Sequence, residues 1–426
     1  MLTPKEIEFI VENAKSDTSK ILLGASKYPH INVKLCVNCI ESRHKIATKL
    51  PNWFANTSLV YPFPLSAEQC SSEITGEYKK DLIFNIIKNS KDLSAKKQIS
   101  GADLTGGMGV DSYFLSAATH SFHYFERNEE LCNATEYNFQ QLGIENISVH
   151  NLEVNSNNIS ELPGAPYDFI FIDPARRSKS NKDSKVISLQ DYEPNIIELK
   201  EELFKIASTI LVKVSPMADI KLNLGLLPET EEIHIVAVDN ECKELLFVLK
   251  ADKYNSSNKI YTKSAECNNH INITAVNLSS KGKEYQHIKY TPEQEENAQP
   301  HLTSEVGKYL YEPNKAVLKA GIFKLISQQF KCGKLAISTH LYTSDELIEK
   351  FPGKIYTVEK TVPFNKKTIK EIAAQNPHAD LSARNFPLDT NALKKLSGIK
   401  DGGVKHLFAT TLNNGEKVVI IANINK

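Results

Sequence analysis

The feature that most constrains this chain is a glycine-rich stretch at residues 101–111, GADLTGGMGVD. It predicts a short buried strand ending at Asp103, a glycine loop over 105–109 and a helix over 110–118. Glycines let the backbone pass close beneath a ligand, and a helix N-terminus favours electron-rich groups. A second apolar run ends in Glu126, where a carboxylate can accept both hydroxyls of a ribose. The stretch therefore predicts a nucleotide-type cofactor site, although a glycine pair can also mark only a tight turn.

Strands and helices alternate after this loop, which indicates a doubly wound, mainly parallel α/β sheet with ligands at the carboxyl ends of its strands. Two closely spaced strands close the series, and this spacing predicts one antiparallel strand at the sheet edge. The further apolar runs are 168–172, 209–214, 233–238 and 244–249, and the helical stretches include 128–142 and 195–207.

The loop does not have the G-x-G-x-x-G spacing of dinucleotide oxidoreductases, because an acidic residue opens it and Asp173-Pro174 follows the fourth predicted strand. Both features resemble class I S-adenosylmethionine-dependent methyltransferases. The chain looks most similar to bacterial methyltransferases that carry a C-terminal THUMP-like domain. The matching segments are FPLSAEQCSSEITGEYKK (63–80), DLTGGMGVD (103–111), DPARR (173–177), YEPNKAVLKAG (311–321) and RNFPL (384–388).

The resemblance implies a Rossmann-like methyltransferase sheet, preceded by an N-terminal helical region and followed by a C-terminal α+β THUMP-like domain. A length of 426 residues is enough for two or three domains with their own cores. We predict a helical region at 1–95, the methyltransferase domain at 96–250, a small ferredoxin-like or linking α+β region at 251–312 and the THUMP-like domain at 313–426.

S-adenosylmethionine is the cofactor that the resemblance implies. Asp103 would position the amino group of the methionine moiety through the glycine loop, Glu126 would accept the ribose hydroxyls, and Glu153 would lie near the adenine. The candidate cofactor-binding residues are Asp103, Thr105, Gly106, Gly107, Gly109, Glu126, Arg127, Asn128, Glu153 and Asp173. By resemblance the helix after Ser66 could also reach the methionine end, unless it is an ordinary capped helix.

The chemistry would centre on Asp173, Pro174 and Arg176, the candidate catalytic residues. In amine-methylating relatives the Asp and a Pro carbonyl accept hydrogen bonds from the target amine, and an aromatic residue stacks on the base. Here Ala175-Arg176-Arg177 replaces the second half of that motif, which weakens the case for methylation of a base amine. Guanidinium groups can stack or pair with phosphate, but a plain surface arginine pair remains an alternative.

Three further features surround that motif. Tyr192 is a candidate for the missing aromatic residue, and the polar stretch 178–185 is expected to form a mobile lid. Lys213 lies at the end of the fifth predicted strand, another position on the rim of the sheet.

Charge is balanced over the whole chain, whose formal net charge is zero, but it is unevenly spread. Residues 315–426 contain 18 Lys plus Arg against 9 Asp plus Glu. This excess favours contact with RNA phosphates, although lysine-rich surfaces often serve only solubility. The candidate RNA-binding residues are Arg176, Arg177, Arg384, Lys394, Lys395, Lys400 and Lys405.

Seven scattered cysteines, an odd number, do not form a disulfide framework. Without a signal peptide or an apolar run of membrane length, the sequence predicts a reduced cytoplasmic protein that contacts no membrane. Cys36 and Cys39 have metal-site spacing, but no second pair follows, so no metal is expected.

The sequence thus predicts an S-adenosylmethionine-dependent methyltransferase that acts on a base in structured RNA, tRNA or rRNA. Its alternatives are a small-molecule or protein methyltransferase, a non-catalytic RNA- or cofactor-binding protein and, more distantly, a nucleotide-dependent oxidoreductase. No oligomeric state is predicted.

Overall fold

The computed structural model describes residues 1–90, 98–176, 189–252, 271–282 and 285–425. The chain folds as two compact units. The first contains Met1–Glu232 and Glu244–Ser264, and the second contains Ile233–Lys243 and Ala265–Lys426. The predicted helical region and most of the predicted methyltransferase domain therefore lie in one unit.

The first unit begins with helices, as the sequence predicts. Thr3 caps the first of them in a capping box, in which its Oγ1 accepts from the backbone N–H of Glu6 and its own N–H donates to Glu6 Oε2. Ser72 caps the long sixth helix in the same way. The helices are α1 Pro4–Glu12, α2 Thr18–Leu23, α3 Val33–Ile46, α4 Pro51–Ala55, α5 Pro64–Gln69 and α6 Glu73–Asn89.

These helices share one hydrophobic core with the segment that follows the glycine loop. Trp53, from α4, is buried in the same cluster as Met108 and Phe114. Two hydrogen bonds also join Asn138 of the helix Glu129–Gln141 to the N-terminal region. The Asn138 side-chain amide donates to the carbonyl of Val60 at 2.8 Å and accepts from the Val60 N–H at 2.8 Å. The N-terminal helices are thus part of the fold that carries the glycine loop.

A sheet in the first unit has the order β9-β7-β4-β1-β2-β3. All neighbouring pairs are parallel except β7 and β9, which are antiparallel, so the predicted doubly wound fold is confirmed. The strands between residues 100 and 250 are β1 Ser100–Asp103, β2 Ser121–Glu126, β3 Ile147–Asn151, β4 Tyr167–Ile172, β5 Ala175–Arg176, β6 Tyr192–Glu193, β7 Ala207–Val214, β8 Thr230–Val238 and β9 Glu241–Lys250. The helices are α7 Val110–Ser116, α8 Glu129–Gln141, α9 Ile196–Ile206 and α10 Ile220–Leu226.

The second unit has the predicted α+β character. One sheet has the order β13-β14-β12-β15-β18-β17-β16, and β11, β10 and β8 are neighbouring strands in that order. The strands are β10 Asn272–Leu278, β11 Gln286–Tyr290, β12 Tyr309–Pro313, β13 Gly333–Ala336, β14 Thr339–Ser344, β15 Gly353–Pro363, β16 Asp380–Arg384, β17 Lys405–Thr411 and β18 Lys417–Ile424. The helices are Pro292–Asn297, Lys315–Ala320, Leu325–Gln329, Lys366–Gln375 and Thr390–Ser397.

One helix differs from the sequence-based prediction. The spacing of apolar residues predicts a single helix over 315–329, whereas the structure has two, Lys315–Ala320 and Leu325–Gln329. Gly321 ends the first with a φ of +79°, a left-handed conformation that closes a helix. The apolar pattern continues beyond the break because both short helices bury residues.

Within the described part of the chain, every helix is too short or too polar to cross a membrane.

Candidate cofactor and catalytic site

The glycine loop passes from β1 into α7 in a conformation that requires its glycines. Gly107 and Gly109 have φ values of +56° and +78°, which disfavour side chains. At Gly106 an added Cβ would lie 2.1 Å from the ring of Tyr124. Tyr124 also donates from its hydroxyl to the carbonyl of Gly107 at 2.6 Å. The loop therefore packs closely against Tyr124 of β2, and this contact and the hydrogen bond hold its backbone in place.

Asp103 is buried at the end of β1 and joins the loop to the following helix. Its Oδ2 accepts from Ser112 Oγ at 2.7 Å, and its Oδ1 accepts from the N–H of Thr105 at 2.9 Å. Burial raises the pKa of Asp103 to about 7, although these two hydrogen bonds favour the ionised form. Asp103 thus shapes the loop that the sequence predicts to hold the methionine moiety.

Glu126, at the end of β2, contacts the loop from the other side. Its Oε2 accepts from the N–H of Gly107 at 2.9 Å, and its Oε1 accepts from the N–H of Asn128 at 2.8 Å. The Asn128 side chain in turn caps α8 by accepting from the N–H of Leu131. The carboxylate lies at the strand tip where the sequence predicts it, with lone pairs left to accept further hydrogen bonds.

Arg127 and Glu153 form an exposed ion pair beside Glu126, with 3.1 Å between Nη1 and Oε1. Asn151, the last residue of β3, donates from its side chain to the carbonyl of Glu126 at 2.9 Å. The structure therefore brings the predicted residues of this edge together at the carboxyl ends of neighbouring parallel strands.

Asp173 and Pro174 follow β4 directly and are tied to the glycine loop. The N–H of Asp173 donates to Thr105 Oγ1 at 2.7 Å, and the Thr105 hydroxyl and N–H both lie against Asp103. Pro174 is buried, whereas the side chain of Asp173 is partly exposed. Thr105 thus connects the loop expected to hold the cofactor with the motif expected to hold the methyl acceptor.

The residues after Pro174 are placed differently from one another. Ala175 and Arg176 are exposed and pair as β5 with β6, so that Arg176 lies opposite Tyr192. Tyr192 is buried, so its ring is not presented at the surface as the missing stacking aromatic would be. Arg177 and the predicted lid at 178–185 lie outside the described residues.

An ion network that the sequence did not reveal extends inward from Asp173. Lys213 Nζ, from β7, lies 2.6 Å from Asp173 Oδ2 and 3.3 Å from Asp111 Oδ2. Lys79 Nζ, from α6, lies 3.1 Å from Asp111 Oδ1 and 2.7 Å from Glu244 Oε1. Asp111 thus bridges the two lysines. Two ammonium groups and three carboxylates form a continuous chain from the interior to the site.

Ser71 completes the network from the segment before α6. Its hydroxyl donates to Asp111 Oδ2 at 2.8 Å and accepts from Lys213 Nζ at 3.1 Å and from Lys79 Nζ at 3.3 Å. The N-terminal helical region therefore contributes two members of the network, Ser71 from the segment before α6 and Lys79 from α6.

In this network, burial and the neighbouring opposite charges shift the pKa values of Asp111 and Lys213 in opposite directions, and the neighbouring charges dominate. Burial would raise the pKa of Asp111, but the ammonium groups of Lys79 and Lys213 outweigh it and hold this pKa at about 2. Burial would lower the pKa of Lys213, but Asp173, Asp111 and Glu244 raise it well above its ordinary value. Lys213 is therefore an ammonium group at neutral pH.

A sequence signal for two members of this network existed. Lys79 lies three and four residues before Leu82 and Ile83, the buried residues of its helix, so it shares their face. Glu244 opens the apolar run of β9. A charge on a buried face indicates a buried partner, but the sequence does not identify which residue that partner is.

The predicted RNA-binding cations of the second unit fall into two groups. Arg384, Lys394 and Lys405 pair with Glu312, Asp401 and Glu359 at 2.6, 2.5 and 2.8 Å. Lys395 and Lys400 are exposed, and within the described residues no carboxylate lies within ion-pair distance of either ammonium group.

Two segments match known domain families. Residues 309–352 match a ferredoxin-like domain, and residues 353–423 match a THUMP domain-like family. The ferredoxin-like match begins near the end of the range 251–312 in which the sequence predicted such a region. The THUMP-like match lies inside the predicted range 313–426.

A solved structure matches this chain over its whole length. A protein from Porphyromonas gingivalis, provisionally described as a methyltransferase, is 31% identical, and the match covers 100% of both chains with a TM-score of 0.83. An rRNA methylase from Streptococcus thermophilus is 14% identical over 41% of this chain and 94% of its own, with a TM-score of 0.30. A Streptococcus mutans protein, also provisionally described as a methyltransferase and solved with SAH, is 14% identical over 40% and 96%, with a TM-score of 0.28.

The two streptococcal likenesses are too weak to support an inference about function. No curated protein matches the sequence significantly.

Proposed function

The chain belongs to the family of its full-length Porphyromonas gingivalis relative, the class I methyltransferases with a C-terminal THUMP-like domain, and from this we propose that it transfers a methyl group from S-adenosylmethionine to structured RNA. The sequence predicts tRNA or rRNA as the substrate. S-adenosylmethionine supplies an electrophilic methyl group when it is bound.

One observation supports the proposal above the others, the link through Thr105. Its hydroxyl accepts from the N–H of Asp173, and its N–H donates to Asp103, so the cofactor loop and the Asp-Pro motif are held side by side. Methyl transfer is an in-line displacement, in which correct placement of the acceptor supplies much of the rate. This arrangement gives an acceptor at Asp173 a fixed position relative to the loop.

The residues of the loop fit the cofactor. Glu126 offers a carboxylate at the tip of β2 for a ribose, and the close approach at Gly106 leaves a backbone surface without side chains. Asp103 would act on the amino group of the methionine moiety through the loop that it holds. Arg127, Asn128 and Glu153 would border the adenosine.

RNA as the acceptor is supported by the second unit. A THUMP-like domain resembles the RNA-binding domains of RNA-modifying enzymes, and residues 315–426 carry the excess of positive charge. Lys395 and Lys400 are exposed and available to phosphates. Near the predicted acceptor site, Arg176 is exposed as well.

The proposal is tested with purified full-length protein, radiolabelled S-adenosylmethionine and total RNA from a strain that lacks the gene. We expect label in one RNA species with the wild type and its loss in Asp173→Ala. Glu202→Ala, which removes an exposed carboxylate paired with Lys205, is the matched control and should keep full activity.

Two results would contradict parts of the proposal. Cofactor binding by calorimetry without label in RNA would exclude the RNA substrate and favour a small molecule or a protein. A protein that does not bind S-adenosylmethionine would exclude the cofactor assignment.

A further inference from the structure

The surroundings of Asp173 differ from those that a base amine requires. An amine that is methylated in a flipped base needs a hydrogen-bond acceptor and a flat surface on which the base can stack. Between Pro174 and Tyr192 the sequence contains no aromatic residue, and Tyr192 itself is buried with 4% of its surface exposed. The motif therefore keeps the acceptor and lacks the adjoining stacking surface.

Asp173 has instead a cation in direct contact. Lys213 Nζ lies 2.6 Å from Oδ2, while Oδ1 has no hydrogen-bond partner among the described residues. The exposed fraction of the side chains rises along the network towards this contact, from 0% at Lys79 and 4% at Glu244 to 10% at Asp111, 12% at Lys213 and 38% at Asp173. The network thus reaches the surface at the carboxylate of Asp173, where the ammonium group of Lys213 lies beside Oδ2 and, among the described residues, Oδ1 has no partner.

This arrangement is costly, because burying an ion pair removes two charges from water and is rarely more stabilising than apolar packing. Orienting an amine requires only acceptors, since its lone pair attacks directly and the proton is lost afterwards. A hydroxyl is a much weaker nucleophile, and its proton must leave as the new bond forms. A cation beside the oxygen stabilises the negative charge that develops, and a carboxylate receives the proton.

The charge of the network suits that task. With all five groups ionised, three carboxylates and two ammonium groups carry one net negative charge. Uptake of one proton makes the network neutral. Asp111 and Glu244 hold Lys79 and Lys213 in place, so the ammonium group of Lys213 keeps its position when Asp173 is protonated.

In RNA the hydroxyl with this reactivity is the 2′-hydroxyl, which also distinguishes RNA from DNA. We propose that the methyl acceptor is the 2′-hydroxyl of a ribose in RNA, which donates its hydrogen bond to Asp173 Oδ1 and lies beside the positive charge of Lys213. This inference rests on the proposed function and departs from the base that the sequence predicts.

The proton and the electron pairs are accounted for within the site. The hydroxyl oxygen forms the new bond to the methyl carbon, the bond from that carbon to sulfur breaks with its electron pair left on sulfur, and the proton passes to Asp173 Oδ1. Lys213 stabilises the charge on the oxygen. Lys79 and Glu244 act through Lys213 and are positioning residues.

The position of the label decides between a ribose and a base. RNA labelled by the wild-type protein is hydrolysed in alkali, which cleaves next to free 2′-hydroxyls only. Label in alkali-resistant dinucleotides supports the proposal, whereas label in mononucleotides overturns it and leaves RNA methylation itself intact. RNA without any label is instead a failure of the proposed function.

The role of Lys213 is tested by Lys213→Met and Lys213→Arg, with Lys200→Met as the matched control. Lys200 also pairs with a buried carboxylate of this unit, 2.7 Å from Glu229 Oε1, and its side chain is 13% exposed. We expect Lys213→Met to lower kcat at least about 100-fold, with little change in KM for RNA, and Lys213→Arg to restore part of it. Lys200→Met should keep the wild-type kcat.

Thermal unfolding and calorimetric binding of S-adenosylmethionine show whether Lys213→Met is folded. A folded Lys213→Met that keeps the wild-type kcat would overturn the assigned role. If this variant does not fold, Lys213→Arg and the alkaline hydrolysis still decide the question.

A binding measurement adds a readout that does not depend on turnover. An RNA oligonucleotide that spans the labelled site is compared, without cofactor, with the same oligonucleotide carrying 2′-deoxyribose at the labelled nucleotide. Loss of one hydrogen bond to a charged group should weaken binding about tenfold to the wild type and much less to Asp173→Ala. Equal affinities for both oligonucleotides in the wild type would contradict the contact.

Discussion

Two sets of ion pairs in this molecule both join lysines to carboxylates, but one set is buried and the other is exposed to solvent. In the first unit, Lys79 and Lys213 pair with carboxylates at 2.6 to 3.3 Å, and their side chains are almost completely enclosed. In the second unit, Lys394 and Lys405 pair at 2.5 and 2.8 Å, and their partners Asp401 and Glu359 are 69% and 47% exposed. Distance alone does not separate the two sets.

Burial gives them different consequences. An exposed ion pair contributes about 0 to 1 kcal/mol, so it can open towards a phosphate at little cost. Breaking a buried pair leaves a charge without a partner and costs about 3 to 5 kcal/mol. The buried set therefore fixes the geometry of a site, whereas the exposed set provides adaptable charge.

The largest expected effect is on stability at Lys79. Lys79→Met leaves Glu244 and part of Asp111 unpaired in the interior, so we expect the free energy of unfolding to fall by about 3 to 5 kcal/mol, as measured in urea. The double variant Lys79→Met/Glu244→Leu should recover part of this loss, because it also removes the Glu244 carboxylate that Lys79→Met leaves without its partner. A loss below about 1 kcal/mol in the single variant would mean that the buried pairs contribute no more to stability than exposed ion pairs do.

A second prediction compares two buried aspartates of one loop region, Asp103 and Asp111, of which Asp111 is paired with two lysines. Asp111 pairs with Lys79 and Lys213, whereas the partners of Asp103 among the described residues are Ser112 and Thr105, which donate hydrogen bonds to it. Burial therefore raises the pKa of Asp103 to about 7. Its contribution to stability is fully present below about pH 4 and is lost as the pH rises to 7.

Asp103→Asn should remove that pH dependence. Between pH 5 and pH 7 the free energy of unfolding of the wild type should fall by about 2 kcal/mol more than that of the variant. Urea unfolding at both pH values measures the difference. Equal falls in both proteins would mean that Asp103 is ionised throughout this range, as its paired neighbour Asp111 is.

The sequence was sufficient for features that local pattern determines. The glycine loop, Glu126 at a strand tip and Asp173-Pro174 after β4 are each fixed by residues adjacent in the chain, and the sheet follows from alternating strands and helices. The break at Gly321 was missed because the apolar spacing continues across it, and only the left-handed backbone of that glycine ends the helix.

Long-range pairing could not be predicted. Lys79, Asp111, Lys213 and Glu244 lie on four different elements, and their contact depends on how α6 and α7 pack on the sheet. The burial of Tyr192 could not be predicted either, since Arg176, which lies opposite it on β5, is exposed. A single sequence shows which charges lie on apolar faces, but not which of them meet.

The smallest expected effects are on RNA affinity and come from exposed lysines of the second unit. They distinguish lysines that pair with a carboxylate from lysines without such a partner among the described residues. Lys395→Ala and Lys400→Ala each remove a cation without a carboxylate partner among the described residues. Each variant should reduce the slope of log affinity against log salt concentration by about 1, and should change the free energy of unfolding by less than about 0.5 kcal/mol.

Lys394→Ala is the matched control, because Asp401 already neutralises its ammonium group at 2.5 Å and its removal should release fewer counterions. Fluorescence anisotropy with the labelled RNA at several salt concentrations measures all three slopes. If Lys394→Ala lowers the slope as much as Lys395→Ala does, the pair with Asp401 opens when RNA binds. The exposed pairs would then belong to the RNA surface together with the free lysines, and exposure rather than pairing would decide which cations contact phosphate.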